Sequence, residues 1–557
     1  MMARHGSSAS VTLLAVLLAG ASPSGSGQLL AEDARPTWPV SARAGETLTL
    51  QRRPDLVDSR QFWSSFGATL ESATPEEKLP RLRLPADAPL GIGVLWLGVP
   101  KGAPEPLLLL VDDLPSVMKV AGRDTPERAQ CIEPPLAVDG FVDSRRADYY
   151  KFSLRAGESL SVEVFAARLA SKLDAKIRLL DPSGQELAYV DDSPGLAGDC
   201  RLRHTATVDG PVVLELSDIG YDGGRSHYYH LRLGDFPLIH AVFPPVAKQG
   251  TAVQWQATGE AIGGLAPRTT AVTAPHESPL ALAVRFADGK PAAFGEIISA
   301  ETAAVPESEP NDTPEQANAV EPQCMVAGQF GKPGDRDIFQ LSLTKNRRYR
   351  IAAEMRRFGS PGDLYMRVET LKGELVAESD NLKADEAELD FTAREDGPVR
   401  LSVEELNLLG GLGQVYALQI GPTETCFDLQ VTGDRFFAAK GASFTMRVAS
   451  KRRPGNEPIA LELVGCNGQP LPGDWKVEDT VIAKGKSDTQ LKVTIPADAL
   501  AGSLHMARIL GRCRHKEVDY QETAVEAPAI GKSQFAALPR VPTAMRSAIA
   551  IGVGREQ

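Results

Sequence analysis

Short apolar segments that alternate with polar residues recur along most of the chain. Clear examples are Glu46–Gln51 (ETLTLQ), Asp148–Leu154 (DYYKFSL) and Ser159–Phe165 (SLSVEVF). A period of two is typical of strands with one buried face, and no long helical period interrupts it. Turn residues separate the segments, as in Asp181–Gly184 (DPSG). The pattern predicts an all-β protein built from tandem antiparallel β-sandwiches, some of them jelly-roll-like.

Two stretches of about a hundred residues resemble each other at a nearly constant offset. Asp312–Ala317 (DTPEQA) follows Asp124–Ala129 (DTPERA) by about 188 residues, and the tetrapeptide DGPV occurs at both Asp209 and Asp396. A constant offset over such a length indicates a duplicated domain.

The flanking segments carry short strands at roughly ten-residue spacing, which is typical of immunoglobulin-like (Ig-like) sandwiches. The tail is rich in alanine and proline, which favours loose order. The predicted units are a signal peptide over 1–31, an Ig-like domain over 36–116, a first repeat over 118–235, a short Ig-like domain over 237–300, a second repeat over 306–422, a third Ig-like domain over 424–525 and a flexible tail over 526–557.

The N-terminus has the features of a secretory signal peptide. A charged start precedes the apolar run Val11–Ala19, and small residues follow as far as Ala31. Cleavage near Ala21 or after Ala31 fits equally, and an uncleaved anchor is the second interpretation. We expect a periplasmic, extracellular or cell-surface location, with no transmembrane segment in the mature chain.

Six cysteines fit an oxidising compartment, and none has the close spacing of a zinc or redox motif. They are Cys131, Cys200, Cys324, Cys426, Cys466 and Cys513. One pair per domain predicts disulfides 131–200, 324–426 and 466–513, with unpaired buried thiols as the alternative. A net charge of −12 disfavours nucleic acid as a partner.

An acidic, proline-punctuated segment over 307–317 opens the second repeat. Prolines favour extended backbone, so alternate side chains point the same way. Carboxylate and amide oxygens are the ligands that calcium prefers, and a solvated acidic linker is the alternative. The predicted calcium ligands are Glu307, Glu309, Asn311, Asp312, Asp335 and Asp337.

The first repeat differs at four of these positions. Lys119, Ala121, Arg123 and Arg146 correspond to Glu307, Glu309, Asn311 and Asp335. Three of the four residues are cationic, and a cation does not sit among the ligands of another cation. The sequence therefore predicts calcium in the second repeat only.

The two repeats resemble the bacterial pre-peptidase C-terminal domain, a β-sandwich appended to secreted proteases and collagenases and found in other large secreted bacterial proteins; the motifs are most complete in the second repeat. The resemblance covers about 40 percent of the chain in two blocks. The matching motifs are Glu309–Asp312 (EPND), Asp335–Phe339 (DRDIF), Gly359–Asp363 (GSPGD), Gly373, Asp380, Asp396-Gly and Tyr416–Leu418 (YAL). Only one member of the family's later Asp pair, Asp380, is present.

In collagenase members this domain binds calcium through its acidic N-terminal linker. The resemblance therefore implies that role for Glu307, Glu309, Asn311 and Asp312. The first repeat lacks the EPND segment, so the implication stops at the second.

Catalytic motifs are missing from the sequence: there is no HExxH, no GxSxG and no P-loop. The loop over 217–230 is the candidate ligand surface, through Tyr221 and Tyr228, whereas Tyr229 is expected to pack inward like Tyr416.

We therefore expect an exported, non-enzymatic binding or scaffold protein that recognises a protein or polysaccharide. One alternative is an accessory or substrate-binding component of a secreted peptidase system. Another is a latent hydrolase.

Overall fold

The computed structural model describes residues 40–50, 61–71, 81–98, 102–193, 195–196, 198–248, 251–253, 255–260, 270–272, 282–285, 289–300, 303–379, 386–422, 426–453, 455–526, 538, 545 and 547–555. The predicted signal peptide lies outside these residues. Strands dominate the part of the chain that is described, which confirms the all-β prediction. Within the same part, no helix has the length and apolar character needed to cross a membrane.

The N-terminal strands form two small sheets that face each other. They are β1 (Ser41–Arg43), β2 (Thr47–Thr49), β3 (Phe62–Ser64), β4 (Thr69–Glu71), β5 (Arg81–Arg83), β6 (Gly91–Leu97) and β7 (Glu105–Asp112). The strand orders are β1-β7-β6-β3 and β2-β5-β4. Strand β6 is an uninterrupted apolar run and is buried along its whole length, as expected for a strand covered on both faces.

The first repeat is a sandwich of two five-stranded sheets. Its strands are β8 (Ser116–Met118), β9 (Gln130–Cys131), β10 (Leu136–Phe141), β11 (Ala147–Leu154), β12 (Ser159–Phe165), β13 (Ala175–Leu180), β14 (Glu186–Val190), β15 (Arg201–Thr205), β16 (Gly210–Asp218) and β17 (Tyr228–Gly234). The orders are β15-β12-β17-β10-β8 and β14-β13-β16-β11-β9. The inward residues of both sheets form one apolar core.

The middle segment forms two-stranded pairings: β18 with β21, β19 with β25, β20 with β22 and β23 with β24. Its strands are β18 (Leu238–Phe243), β19 (Val246–Lys248), β20 (Thr251–Val253), β21 (Gln256–Glu260), β22 (Thr270–Val272), β23 (Leu282–Val284), β24 (Ala293–Gly295) and β25 (Ile298–Ala300).

The second repeat has the same strand order as the first. Its strands are β26 (Ala304–Pro306), β27 (Asn318–Ala319), β28 (Cys324–Gln329), β29 (Arg336–Leu343), β30 (Arg348–Glu354), β31 (Leu364–Thr370), β32 (Leu375–Ser379), β33 (Glu388–Thr392), β34 (Gly397–Glu405) and β35 (Val415–Pro422). The orders are β26-β28-β35-β30-β33 and β27-β29-β34-β31-β32. Gly328 faces Tyr416 in this repeat, and Gly140 faces Tyr229 in the first, so the registers also correspond.

The C-terminal sandwich uses part of the predicted tail. Its strands are β36 (Phe427–Thr432), β37 (Arg435–Ala439), β38 (Ser443–Arg452), β39 (Ile459–Gly465), β40 (Lys476–Glu478), β41 (Val481–Ile482), β42 (Asp488–Thr494), β43 (Leu504–His515), β44 (Val518–Thr523), β45 (Val525–Glu526) and β46 (Ile549–Gly554). The orders are β40-β42-β38-β36-β45 and β37-β46-β43-β39-β41, with β44 beside β43.

The prediction of a flexible tail over 526–557 is wrong for Ile549–Gly554. This strand is fully buried and pairs with both β37 and β43. The run IAIGV has the composition of a buried strand, but the alanine- and proline-rich segment before it hid that signal.

The six cysteines are free thiols in this structure. The pairing 466–513 is wrong, because Cys466 lies beside Ala507 and Cys513 is six residues further along the same extended strand. At about 3.3 Å per residue that distance far exceeds the span of a disulfide. The pairing 324–426 is also wrong, since Cys324 packs on the second repeat's core and Cys426 lies beside Cys513. Cys131 is exposed, whereas Cys200 is completely buried.

Candidate cation site

The acidic segment of the second repeat is anchored to both sheets of its sandwich. The backbone N–H of Glu307 donates to the carbonyl of Ala327, which continues the pairing of β26 with β28. Four residues later, the carbonyl of Asn311 accepts from the N–H of Ile338 in β29. The segment therefore crosses the end of the sandwich, where it meets side chains from both layers.

Three carboxylates converge at this crossing. Glu307, Glu309 and Asp337 each place an oxygen within 4.8 Å of the other two. Asn311 is completely buried beside them. The amide atom that faces the carboxylates lies 3.0 Å from Asp337 Oδ1 and 3.2 Å from Glu309 Oε2. As a nitrogen it would donate to both carboxylates, and as an oxygen it would join them around a shared cation.

Fixed donors hold two of the carboxylates in place. The N–H of Gln329 donates to Glu307 Oε1 at 2.6 Å. The Tyr416 hydroxyl contacts Asp337 Oδ2 at 2.6 Å and Glu307 Oε2 at 3.2 Å. The Tyr416 ring lies directly over Gly328, where any side chain would overlap it. Glycine at 328 therefore permits the close approach that places the hydroxyl.

Burial and neighbouring negative charges raise the pKa of two of these carboxylic acids. Burial, reinforced by the Asp337 charge, raises the pKa of Glu307 to about 9. Burial, reinforced by Asp335 and Glu309, raises the pKa of Asp337 to about 7 despite the Tyr416 hydrogen bond. Two neighbouring carboxylates that share a site oppose each other's ionisation unless a cation lies between them.

Asp312 and Asp335 are not part of this convergence. The Lys332 ammonium lies 2.8 Å from Asp312 Oδ2 and 3.4 Å from Asp335 Oδ1. Both carboxylates therefore form ion pairs with Lys332. The prediction that six oxygen-bearing side chains converge is therefore wrong for these two. The sequence did not reveal the role of Lys332, because it lies on the loop before β29 and only the fold brings it to Asp312.

The donor set suits calcium. Glu307, Glu309 and Asp337 supply hard anionic oxygens, and Asn311 supplies an amide oxygen when turned toward them. Calcium takes six to eight such ligands and accepts irregular geometry, with waters completing the shell. The residues present therefore fit a calcium ion.

The first repeat carries an ammonium group at the same place. Lys119 corresponds to Glu307. Its backbone N–H donates to the backbone carbonyl of Asp139, just as the backbone N–H of Glu307 donates to that of Ala327. Its Nζ lies 2.6 Å from Asp148 Oδ1 and 2.7 Å from the carbonyl of Phe141. Asp148 also accepts from Tyr229 at 2.7 Å, as Asp337 does from Tyr416. The Tyr–Asp pair is thus common to both repeats, whereas the residue beside it is the cationic Lys119 in the first repeat and the acidic Glu307 in the second.

The two tyrosines proposed as a ligand surface differ in exposure. Tyr221 is 63 % exposed, has a left-handed backbone and lies 5.3 Å from the Lys176 ammonium. Tyr228 is half-buried and donates to the carbonyl of Leu169 at 2.7 Å. Tyr221 stays a candidate contact, whereas Tyr228 serves the packing of the repeat. Tyr229 is completely buried, as predicted.

Sequence reasoning missed a buried ionic cluster where the first repeat meets β7. His230 Nδ1 lies 2.7 Å from Asp139 Oδ1, and its Nε2 lies 3.0 Å from Asp112 Oδ2. Arg232 Nε donates to Asp112 Oδ2 at 2.9 Å, and its Nη1 donates to Glu163 Oε2 at 3.1 Å. All five side chains are buried.

The cluster joins three parts of the chain. Ser41 of β1 donates to Asp139 at 2.7 Å, and Arg232 donates to the carbonyl of Ala292 at 2.7 Å. The Arg232 guanidinium also lies 4.5 Å from the centre of the Phe236 ring and 4.7 Å from that of Phe294. The alternation of His230 and Arg232 with apolar residues on β17 predicts a solvent-facing side for both, so the local pattern carried no signal of this cluster.

No protein-family model and no curated protein sequence matches the chain. Solved structures with similarity include the pre-peptidase C-terminal domain of collagenase from Bacillus anthracis, at 16 % identity over 20 % of this chain and 99 % of that one, with a TM-score of 0.17.

Two larger structures also align. The M60 catalytic domain with the CBM51-1 and CBM51-2 domains of Clostridium perfringens ZmpB aligns at 11 % identity over 64 % of this chain and 46 % of that one, with a TM-score of 0.15. Trypsin-activated alpha-2-macroglobulin from Escherichia coli aligns at 11 % identity over 88 % and 41 %, with a TM-score of 0.14. Similarity at this level carries no functional argument.

Proposed function

We propose that the protein is an exported, non-catalytic scaffold of tandem β-sandwiches whose second repeat is stabilised by calcium. The observation that carries the proposal is the convergence of Glu307, Glu309 and Asp337 around the buried Asn311. Three crowded carboxylates, of which Asp337 is buried and Glu307 half-buried, cost free energy when they are left without a counter-charge, so a bound cation would stabilise the folded repeat.

The expected size of this stabilisation follows from binding linkage. At about 1 mM calcium and a dissociation constant of about 10 μM, occupancy adds about 2.7 kcal/mol to the free energy of unfolding. Glu307 and Glu309 lie in the acidic segment and Asp337 lies in β29, so the ion would fasten the acidic segment to the sandwich of the second repeat. Recognition of a protein or polysaccharide would then use exposed loop residues such as Tyr221.

Calorimetric titration of the full-length chain with calcium tests the metal site. One binding event is expected, and it should be weakened at least about tenfold by Glu309→Gln, because the ligand charge sets calcium affinity. Glu315→Gln is the matched control: it removes an exposed carboxylate of the same linker outside the cluster. Absence of binding heat, together with melting curves unaffected by calcium or chelator, would contradict the site.

The non-catalytic assignment needs its own experiment. The full chain should be incubated with casein, collagen and neutral polysaccharides, and both retention and cleavage should be measured. Retention without cleavage supports a binding scaffold. Cleavage that persists after rigorous purification would favour the latent hydrolase, and it would leave the calcium result unaffected.

A further inference from the structure

Two thiols from opposite sheets meet in the C-terminal sandwich. Cys426 immediately precedes β36, and Cys513 lies near the end of β43. These strands belong to different sheets of the sandwich. The two Sγ atoms nevertheless lie 3.5 Å apart, and both residues are buried.

A glycine two residues before Cys513 shapes the packing between the two sheets at this point. Residues of β43 that point inward alternate, and Ile509, Gly511 and Cys513 share the inner face. A methyl group at Gly511 would overlap the Leu429 side chain and would lie 3.1 Å from the Phe427 ring. Because residue 511 has no side chain, the Leu429 and Phe427 side chains of β36 pack directly against the backbone of β43.

The backbone at both thiols is held by regular pairing. The carbonyl of Cys426 accepts from the N–H of Arg453 at 2.9 Å, directly beyond the pairing of Phe427 with Arg452. Cys513 faces Tyr520 in the antiparallel pair of β43 with β44. The proximity of the two sulfur atoms is therefore set by both sheets of the fold.

We propose that Cys426 and Cys513 form an inter-sheet disulfide in the exported protein. The sulfur atoms need to approach from 3.5 Å to about 2.05 Å, which side-chain rotation supplies. The bond would covalently link the first residue of the C-terminal sandwich to the opposite sheet. This inference rests on export to an oxidising compartment and is independent of the calcium site.

The oxidation is a thiol–disulfide exchange with an external disulfide, either glutathione disulfide or the active-site disulfide of an oxidoreductase. One cysteine thiolate attacks a sulfur of that disulfide and releases one thiol. The second cysteine then attacks the mixed disulfide and releases the other, so two protein thiols are oxidised and one external disulfide is reduced. Burial raises the pKa of Cys426 to about 12 in the folded chain, so little reactive thiolate is present there. We therefore expect the exchange to take place during folding, before the two thiols are buried.

Peptide mapping of the full-length protein tests the pairing directly. The protein is exported to the oxidising compartment of a bacterial host, alkylated with iodoacetamide under denaturing conditions without reductant, and digested for mass spectrometry. A linked peptide containing Cys426 and Cys513, lighter by two hydrogens than the two thiol peptides together, is expected. Alkylation of both residues, or a link of either one to another cysteine, would overturn the proposal.

A thermal measurement provides the second readout. Reductant should lower the melting temperature of the C-terminal sandwich in the native protein by roughly 5–15 °C, because the cross-link closes a long loop. Cys466→Ser is the matched control and should retain the whole response, since Cys466 lies beside Ala507. The double variant Cys426→Ser, Cys513→Ser should lose the response. If reductant leaves the native melting temperature unchanged, the bond is not there; should the double variant fail to fold, the mapping of the native protein still decides.

Discussion

The two repeats share a fold, a strand order and a buried Tyr–Asp pair, but they balance the charge of that pair differently. In the first repeat the ammonium of Lys119 lies against Asp148. In the second, Glu307 stands at the lysine position and crowds Asp337 with further oxygens. A side-chain cation is permanent, whereas a bound ion depends on its concentration. One strand order thus carries an internal ammonium in the first repeat and the proposed calcium site in the second.

A second contrast concerns the outer face of the sheet that contains β17 or β35. In the first repeat Asp139, Glu163 and His230 occupy this face and form the buried ionic cluster. The corresponding residues of the second repeat are Ala327, Ala352 and Ala417, as the strand registers show. Packing against neighbouring segments is therefore ionic for one repeat and apolar for the other, although the inner faces are alike.

The largest expected effect comes from removing the internal cation. Lys119→Met leaves the buried Asp148 without its partner, and the first repeat should lose about 3–5 kcal/mol of unfolding free energy. Urea unfolding followed by circular dichroism measures the loss. Lys151→Met, an exposed lysine of the neighbouring strand β11, is the control. Equal unfolding free energies for Lys119→Met and Lys151→Met would show that Lys119 does not stabilise the first repeat through Asp148.

The first repeat should also show a pH dependence that arises from His230, where the second repeat has Ala417. Burial lowers the pKa of His230, but Asp139 and Asp112 outweigh it and raise the pKa to about 9. Since the folded pKa lies above the unfolded value of about 6.5, the contribution is complete below pH 6.5 and is lost as the pH rises through 9. The shift corresponds to about 3 kcal/mol.

Unfolding free energies measured between about pH 6 and 10 check this sign. The native chain should lose stability across that range, and His230→Gln should show a flatter profile. His204→Gln, which changes a histidine of the same sheet, should keep the native slope. A native profile that rises with pH would show that His230 is neutral in the folded protein.

A charge exchange sharpens the comparison further. Glu307→Lys places in the second repeat the residue that the first repeat uses, so this variant should lose its calcium response of about 2–3 kcal/mol. Its stability in chelator should equal or exceed that of the native chain, because the ammonium replaces the ion. Melting curves with calcium and with chelator separate this result from Glu307→Ala, which should lose the response without gaining stability. A Glu307→Lys protein that still responds fully to calcium would place the ion elsewhere.

The smallest effect is expected at Asp312. Its carboxylate is paired with Lys332 at the surface, where ion pairs contribute little. Asp312→Asn should leave the calcium affinity and the melting temperature close to native in the titration described above. A loss of calcium affinity as large as that expected for Glu309→Gln would show that Asp312 is a calcium ligand.

The sequence alone indicated the all-β class, the duplication and the acidic segment, because each depends on local pattern or on comparison of the chain with itself. Strand alternation reports burial of one face. That the first repeat has Lys119 where the second has Glu307 is visible from the sequence without any coordinates. Tyr229 was likewise expected to face inward, because it matches Tyr416 in the comparison of the two repeats.

Tertiary structure decided which side chains meet. Lys332 draws Asp312 away from the carboxylate cluster, and Cys426 meets Cys513 across two sheets; both contacts join residues that are distant or unremarkable in sequence. The cluster of His230 with Asp112 likewise joins residues 118 positions apart. Local pattern constrains the face on which a residue lies, whereas long-range pairing sets its neighbours, and charge balance and cross-linking depend on the neighbours.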